Sequence, residues 1–164
     1  MGKTVNVTID KIPVSVEELK SMQKSDFRDE FETAALSVAV MCNYENDAQT
    51  TIDMIDYLKG PSPLSVYDKQ FIRDRLMEKG YVPRSYLSGT SPENDYKPAF
   101  PCEVEVSDNP YSYQNDGYAT LYLKSSGADS LRQVVLRRKG EQWYLWEIMF
   151  LSDIRKPNSL DPWA

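Results

Sequence analysis

Gln142-Trp143-Tyr144-Leu145-Trp146-Glu147-Ile148-Met149-Phe150-Leu151 is the stretch that decides the fold. Ten residues without glycine or proline, rich in aromatic and β-branched side chains, read as a long strand. Strict alternation puts Trp143, Leu145, Glu147 and Met149 on one face and Tyr144, Trp146, Ile148 and Phe150 on the other. Apolar side chains on both faces predict a strand covered on both sides. Glu147, set inside this run, would then need a partner or a raised pKa, because an unpaired buried carboxylate costs several kcal/mol, roughly speaking. Arg132 or Arg137 on the preceding strand is the expected partner, in an ion pair that fixes register.

Outward from this strand the chain reads as an antiparallel meander. Cys102 to Val106, Tyr118 to Lys124 and Arg132 to Arg138 carry strand-like runs. Lys139-Gly140-Glu141 makes the tight turn into the last strand, and Ser125-Ser126-Gly127-Ala128-Asp129 supplies the preceding connection, where Asp129 and Arg132 are expected to bond. Before the strands come helices. Ser15 with Glu18 forms a capping-box pattern, as does Ser65 with Asp68. From Ser25 onward, Phe27, Phe31, Ala34, Ala35, Val38 and Met41 recur at helical spacing, with Leu36 and Val40 on another face. A central helix over about 26 to 44 follows. A third helix begins at Asn46 or Asp47 and stops at Gly60-Pro61; the fourth is closed by Gly80. The fold class expected is α+β: N-terminal helices, about 15 to 80, packed on a C-terminal antiparallel sheet, about 102 to 151, in one domain over residues 1–164. The segment 81 to 101 is an aromatic loop without periodicity, and 152 to 164 is an extended tail pinned by Trp163. Tyr81, Tyr86, Tyr96 and Phe100 pin the loop to the core in the plainer reading, or offer a binding surface.

The 164 residues carry 25 acids against 19 bases, a formal charge of -6, and 41% are apolar. That is an ordinary globular composition. Without a large basic surface, nucleic acid is not an expected partner, nor is an anionic membrane. The densest basic run, Arg137-Arg138-Lys139, reads as a solvated hairpin end. No apolar segment has the length of a signal peptide or a membrane span, so the expected location is cytoplasmic. Histidine is absent, which removes imidazole-based metal sites and Ser-His-Asp or Cys-His catalysis. Cys42 and Cys102 lack metal-ligand or redox spacing, and no glycine-rich phosphate loop is present. No cofactor is expected.

Several segments together carry a resemblance: Leu58-Lys59-Gly60-Pro61, Tyr81-Val82-Pro83-Arg84-Ser85-Tyr86, Ser126-Gly127-Ala128-Asp129, Gln142 to Glu147, and Ile154-Arg155-Lys156-Pro157 with Asp161-Pro162-Trp163-Ala164. The chain resembles a bacterial family, seen mainly in Firmicutes and classed as a domain of unknown function, over nearly its whole length. The resemblance implies a bacterial origin and one domain, and brings no site residues. The leading expectation is therefore a non-catalytic domain that binds a protein partner or a small ligand through the aromatic loop and the exposed sheet, with Tyr86, Arg132 and Glu147 as the candidate binding residues. The alternative is a small enzyme or ligand carrier with a pocket between helices and a curved sheet. A homodimer in which a second copy completes the sheet or helix surface is the remaining expectation.

Overall fold

The computed structural model describes Gly2–Ala164, with Gln23 and Lys24 described by backbone alone; Met1 lies outside the described residues. The helices are α1 (Val16–Ser21), α2 (Glu30–Met41), α3 (Ala48–Lys59), α4 (Val66–Leu76) and the single turn α5 (Tyr81–Arg84). The strands are β1 (Thr4–Ile9), β2 (Cys102–Ser107), β3 (Tyr118–Leu123), β4 (Arg132–Lys139) and β5 (Gln142–Met149). They form one antiparallel sheet in the order β1-β2-β3-β4-β5. The α+β class is as expected, with one addition. An N-terminal strand, β1, precedes the helices and pairs along its full length with β2, from Thr4 opposite Ser107 to Ile9 opposite Cys102. None of the helices of the described residues is long and apolar enough to cross a membrane.

Local chemistry sets the helix ends. Asp47 caps α3, its carboxylate accepting from the Thr50 N–H at 3.1 Å. Ser65 and Asp68 close a reciprocal box on α4 at 3.0 and 3.2 Å. At Ser15 only half of the box is made: the hydroxyl accepts from the Glu18 N–H, while the Glu18 carboxylate lies 3.4 Å from Lys11. The central helix is shorter than its apolar spacing suggests. Phe27 takes a left-handed conformation (φ 65°), and Asp29 accepts from the Phe31 N–H, so α2 starts at Glu30 and not at Ser25. Gly80 does not close α4 either; the helix stops at Leu76, and Glu78 supplies the positive φ.

α2 lies directly on the inner face of the sheet. Ala34, Leu36, Val38 and Met41 are fully buried, as are Leu121, Val134, Leu136 and Leu145. Under α2 itself helix and sheet share a buried apolar core.

The last strand departs from strict alternation. Leu136 faces Leu145, but Val135 faces Glu147, so Trp146 is an extra residue: a β-bulge. Beyond it the faces exchange. Ile148, opposite the buried Val134, now shares the inner side with Leu145, whereas Glu147 and Met149 turn outward and are exposed. Glu147 therefore has no buried charge to compensate. Among the described residues no arginine forms an ion pair with it.

The segment 81 to 101 is folded onto the core. Tyr81 and Tyr96 stack at 5.8 Å, both are buried, and Tyr86 is 2% exposed. The same segment enters the sheet. β2 and β3 pair at Val106–Leu123 and Ser107–Tyr122, with the Lys124 N–H donating to the Glu105 carbonyl, and where they part, Leu87 bridges Val104 and Ser88 exchanges bonds with Glu103. Phe100 stays exposed. The tail is held by Ile154 and Pro157, and by the Tyr96 hydroxyl donating to the Arg155 carbonyl at 2.7 Å; Trp163 is 92% exposed and pins nothing.

Candidate functional site

The three residues singled out from the sequence do not converge. Tyr86 donates its hydroxyl to the Phe150 carbonyl at 2.5 Å and meets the Phe150 ring edge-on, a structural anchor for the end of the sheet. Burial pushes its phenol up, an effect that the nearby charge of Arg132 opposes. Arg132 itself donates to Ser130 and to the carbonyls of Ser152 and Asp153, tying the turn to the tail. Asp129, the expected partner of Arg132, pairs with Arg155 instead. Glu147 stands apart, on the outer face of β5. The two thiols offer no nucleophile: both are buried, and burial pushes Cys42 up and Cys102 up to about 11.

A different set of residues does converge, at the β4–β5 hairpin. Lys59 ends α3, and its chain must turn sharply there. Gly60 takes φ 61°, ψ -120°, and the Tyr144 ring packs so closely on it that a Cβ would lie 2.5 Å from a ring carbon. Glycine is thus required twice at this position, for its backbone and for its lack of a side chain. The turn leaves the Lys59 side chain lying along β5. Its Nζ donates to the Trp146 carbonyl at 2.9 Å and sits 5.9 Å from the indole centroid.

The bulge sets the other wall. It turns the Trp146 indole toward Tyr118 of β3, at 6.0 Å edge-on. Arg137, opposite Tyr144 in the register, lays its guanidinium over both rings, 4.5 Å from Trp146 and 5.3 Å from Tyr118. Lys59, Arg137, Tyr144 and Trp146, together with Arg138 and Lys139, line a cleft of about 340 Å³, within the usual size range of small-molecule sites. Four cationic side chains border it and no carboxylate does. In a chain of net charge -6 this is a local reversal of sign. Arg138 is partly engaged, 3.9 Å from Asp116 and stacked on Trp143, whereas Arg137 meets aromatic faces.

Lys59 is the least solvated of the four, at 8% exposure. Burial lowers its pKa, and the charges of Asp68, Asp56 and Glu147 oppose that shift. An ammonium has three donors, and among the described residues the Trp146 carbonyl is the acceptor they meet. The remaining donors suit an anion entering the cleft. The Trp146 indole, faced by Arg137, and the edge of Tyr144 beside them offer apolar surface to a ring or other flat group. Beyond Trp146 a second groove, lined by Tyr67, Phe71 and Met149 and shared by Lys59, carries the carboxylates of Asp68 and Glu147.

Comparison with known proteins gives a family. The family described as Domain of unknown function (DUF6935) matches residues 11–158. The chain belongs to this family. The match takes in all the cleft residues and all the elements except β1, and it stops short of the final Asp161–Ala164 segment. No curated protein and no solved structure matches the chain.

Sequence reasoning passed over this cleft although parts of it were visible. Arg137-Arg138-Lys139 stood out only as a solvated turn, and Lys59-Gly60-Pro61 only as a helix stop. What brings them together is the bond from Lys59 to the Trp146 carbonyl, between residues 87 positions apart, at a bulge that no spacing rule announces.

Proposed function

We propose that the protein binds a small anionic ligand bearing a planar group, held in the cleft between the end of α3 and the β4–β5 hairpin. One observation carries the reading: four cationic side chains border a cleft without a carboxylate, and the most buried of them, Lys59, has donors to spare. In this reading Lys59 and Arg137 hold the anion through charge-assisted hydrogen bonds. Trp146 and the edge of Tyr144 supply the apolar walls, and Lys139 at the open rim attracts the ligand without fixing it. The one group in the cleft with a base's or nucleophile's chemistry, Lys59, already donates to the Trp146 carbonyl, which favours binding over catalysis. The aromatic segment 81 to 101 is not the binding surface in this reading, since its tyrosines are spent on packing.

Anilinonaphthalene sulfonate, an anionic planar dye, tests it. Binding is expected to change the fluorescence of Trp146, to be weakened about tenfold or more by Arg137→Ala, and to be competed by inorganic pyrophosphate. Equal binding to wild type and Arg137→Ala, with no competition from pyrophosphate, would overturn the reading.

A further inference from the structure

The two edges of the sheet are not alike. Along β5 the outward backbone groups are taken: the Trp143 N–H donates to the Phe27 carbonyl at 2.7 Å, and the Trp143 carbonyl accepts from Thr33 at 3.2 Å. Farther along, the carbonyls of Trp146 and Phe150 accept from Lys59 and Tyr86. Along β1 the outward groups are open. The Asp108 N–H donates to the Lys3 carbonyl, which fixes the pattern of the β1–β2 ladder: Lys3, Val5, Val7 and Ile9 face β2. The N–H and C=O groups of Thr4, Asn6 and Thr8 therefore point off the sheet, and among the described residues nothing is bonded to them. The strand also lacks the usual protections of an edge, since Thr4–Ile9 contains no charge, no proline and no bulge.

The sequence of that edge reads the same in both directions: Thr4-Val5-Asn6-Val7-Thr8. We infer that β1 pairs antiparallel with β1 of a second copy, about a two-fold axis through Asn6, joining two five-stranded sheets into one of ten. In this register every residue of the palindrome meets its own kind. Thr4 faces Thr8, Asn6 faces Asn6, and the three outward-pointing residues of each strand become the hydrogen-bonded pairs. Threonine pairs on the exposed face are favourable cross-strand neighbours. Val5, only partly covered in one copy, is brought against Val7 of the other on the inner face. A foreign strand could satisfy the backbone, but only a second copy matches all five side chains. β1 lies outside the residues matched by the family model.

Light scattering across a concentration series, with one proline variant and three cysteine variants, decides it. The wild-type chain is expected to move from 18.9 kDa toward twice that mass. Asn6→Pro removes an outward N–H and leaves the β1–β2 ladder whole, so it is expected to stay at the monomer mass with unchanged circular dichroism and thermal midpoint. Asn6→Cys is expected to form a disulfide-linked dimer under mild oxidation, because facing hydrogen-bonded residues stand about 5.5 Å apart, within disulfide reach. The native thiols are buried and do not compete. Thr4→Cys alone is expected not to link, and Thr4→Cys mixed with Thr8→Cys is expected to link. A wild-type chain that stays monomeric at every concentration overturns the inference. So does a dimer that Asn6→Pro leaves intact, or one that Thr8→Cys alone can crosslink.

Discussion

Lys59 carries an ordinary chemical conflict in an informative place. A buried ammonium is costly, and one carbonyl and three neighbouring acids do not fully offset its desolvation, so its pKa is held below the usual lysine value. If the cost were structural alone, a methionine would serve as well. Lys59→Met is therefore expected to leave the thermal midpoint unchanged or raised, while affinity for anilinonaphthalene sulfonate falls by about 1.5–3 kcal/mol, the range for hydrogen bonds to charged groups. The pH dependence separates this from a packing effect. Because the folded pKa lies below the ordinary lysine value of 10.5, wild-type affinity is expected to decline on the alkaline side before that pH is reached. Lys59→Arg, which stays charged, is expected to bind with a flat profile over the same range. A wild-type profile as flat as that of the arginine variant would remove Lys59 from the site.

At the scale of elements, the cleft depends on two irregularities, the glycine turn that ends α3 and the bulge at Trp146. Gly60→Ala meets the Tyr144 ring at a distance no real Cβ contact shows, and does so with a positive φ. Loss of about 1–3 kcal/mol of stability is expected, the scale for overpacking or a strained backbone conformation, read from urea midpoints. Anion affinity should fall with it, since Tyr144 must shift away from the cleft. A variant with unchanged stability would show that the turn is slack. The same two features explain what could be read from the sequence and what could not. Capping chemistry at Asp47 and Ser65 is local, within four residues, and both helix starts are legible. The apolar girth of α2 is legible for the same reason, although the left-handed Phe27 trims its start. A bulge is not local. It is decided by how Leu145 and Ile148 each find Leu136 and Val134 across the strand pair, and it reversed the expected face of Glu147. β1 was hidden differently: six neutral residues ahead of a helical region have strand chemistry but no turn signal, and their partner lies nearly a hundred residues away.

For the whole molecule, the core is anchored by phenols where a simpler fold would use leucine. Tyr86 and Tyr96 tie the segment 81 to 101 to the end of β5 and to the tail, each through a hydroxyl donated to a backbone carbonyl. Burial raises Tyr81 and Tyr86, and raises Tyr96 to about 12. In the unfolded chain these phenols ionise near pH 10, roughly the model-peptide value. Above that pH the unfolded state has lost protons that the native state keeps, so the tyrosines' contribution is fully present below pH 10 or so and is lost as pH rises through the folded values. Lys59 acts in the opposite sense: its native form gives up a proton before the unfolded form does, which adds stability as pH approaches 10.5. Urea midpoints followed with pH are therefore expected to hold or rise slightly and then to fall steeply above about 10. Lys59→Met should remove the early rise. Tyr86→Phe should make the alkaline fall shallower while lowering stability at neutral pH by about 1–3 kcal/mol, since the Phe150 carbonyl is left without its donor. An alkaline fall as steep in Tyr86→Phe as in wild type would place the sensitivity elsewhere and leave the phenol as packing alone.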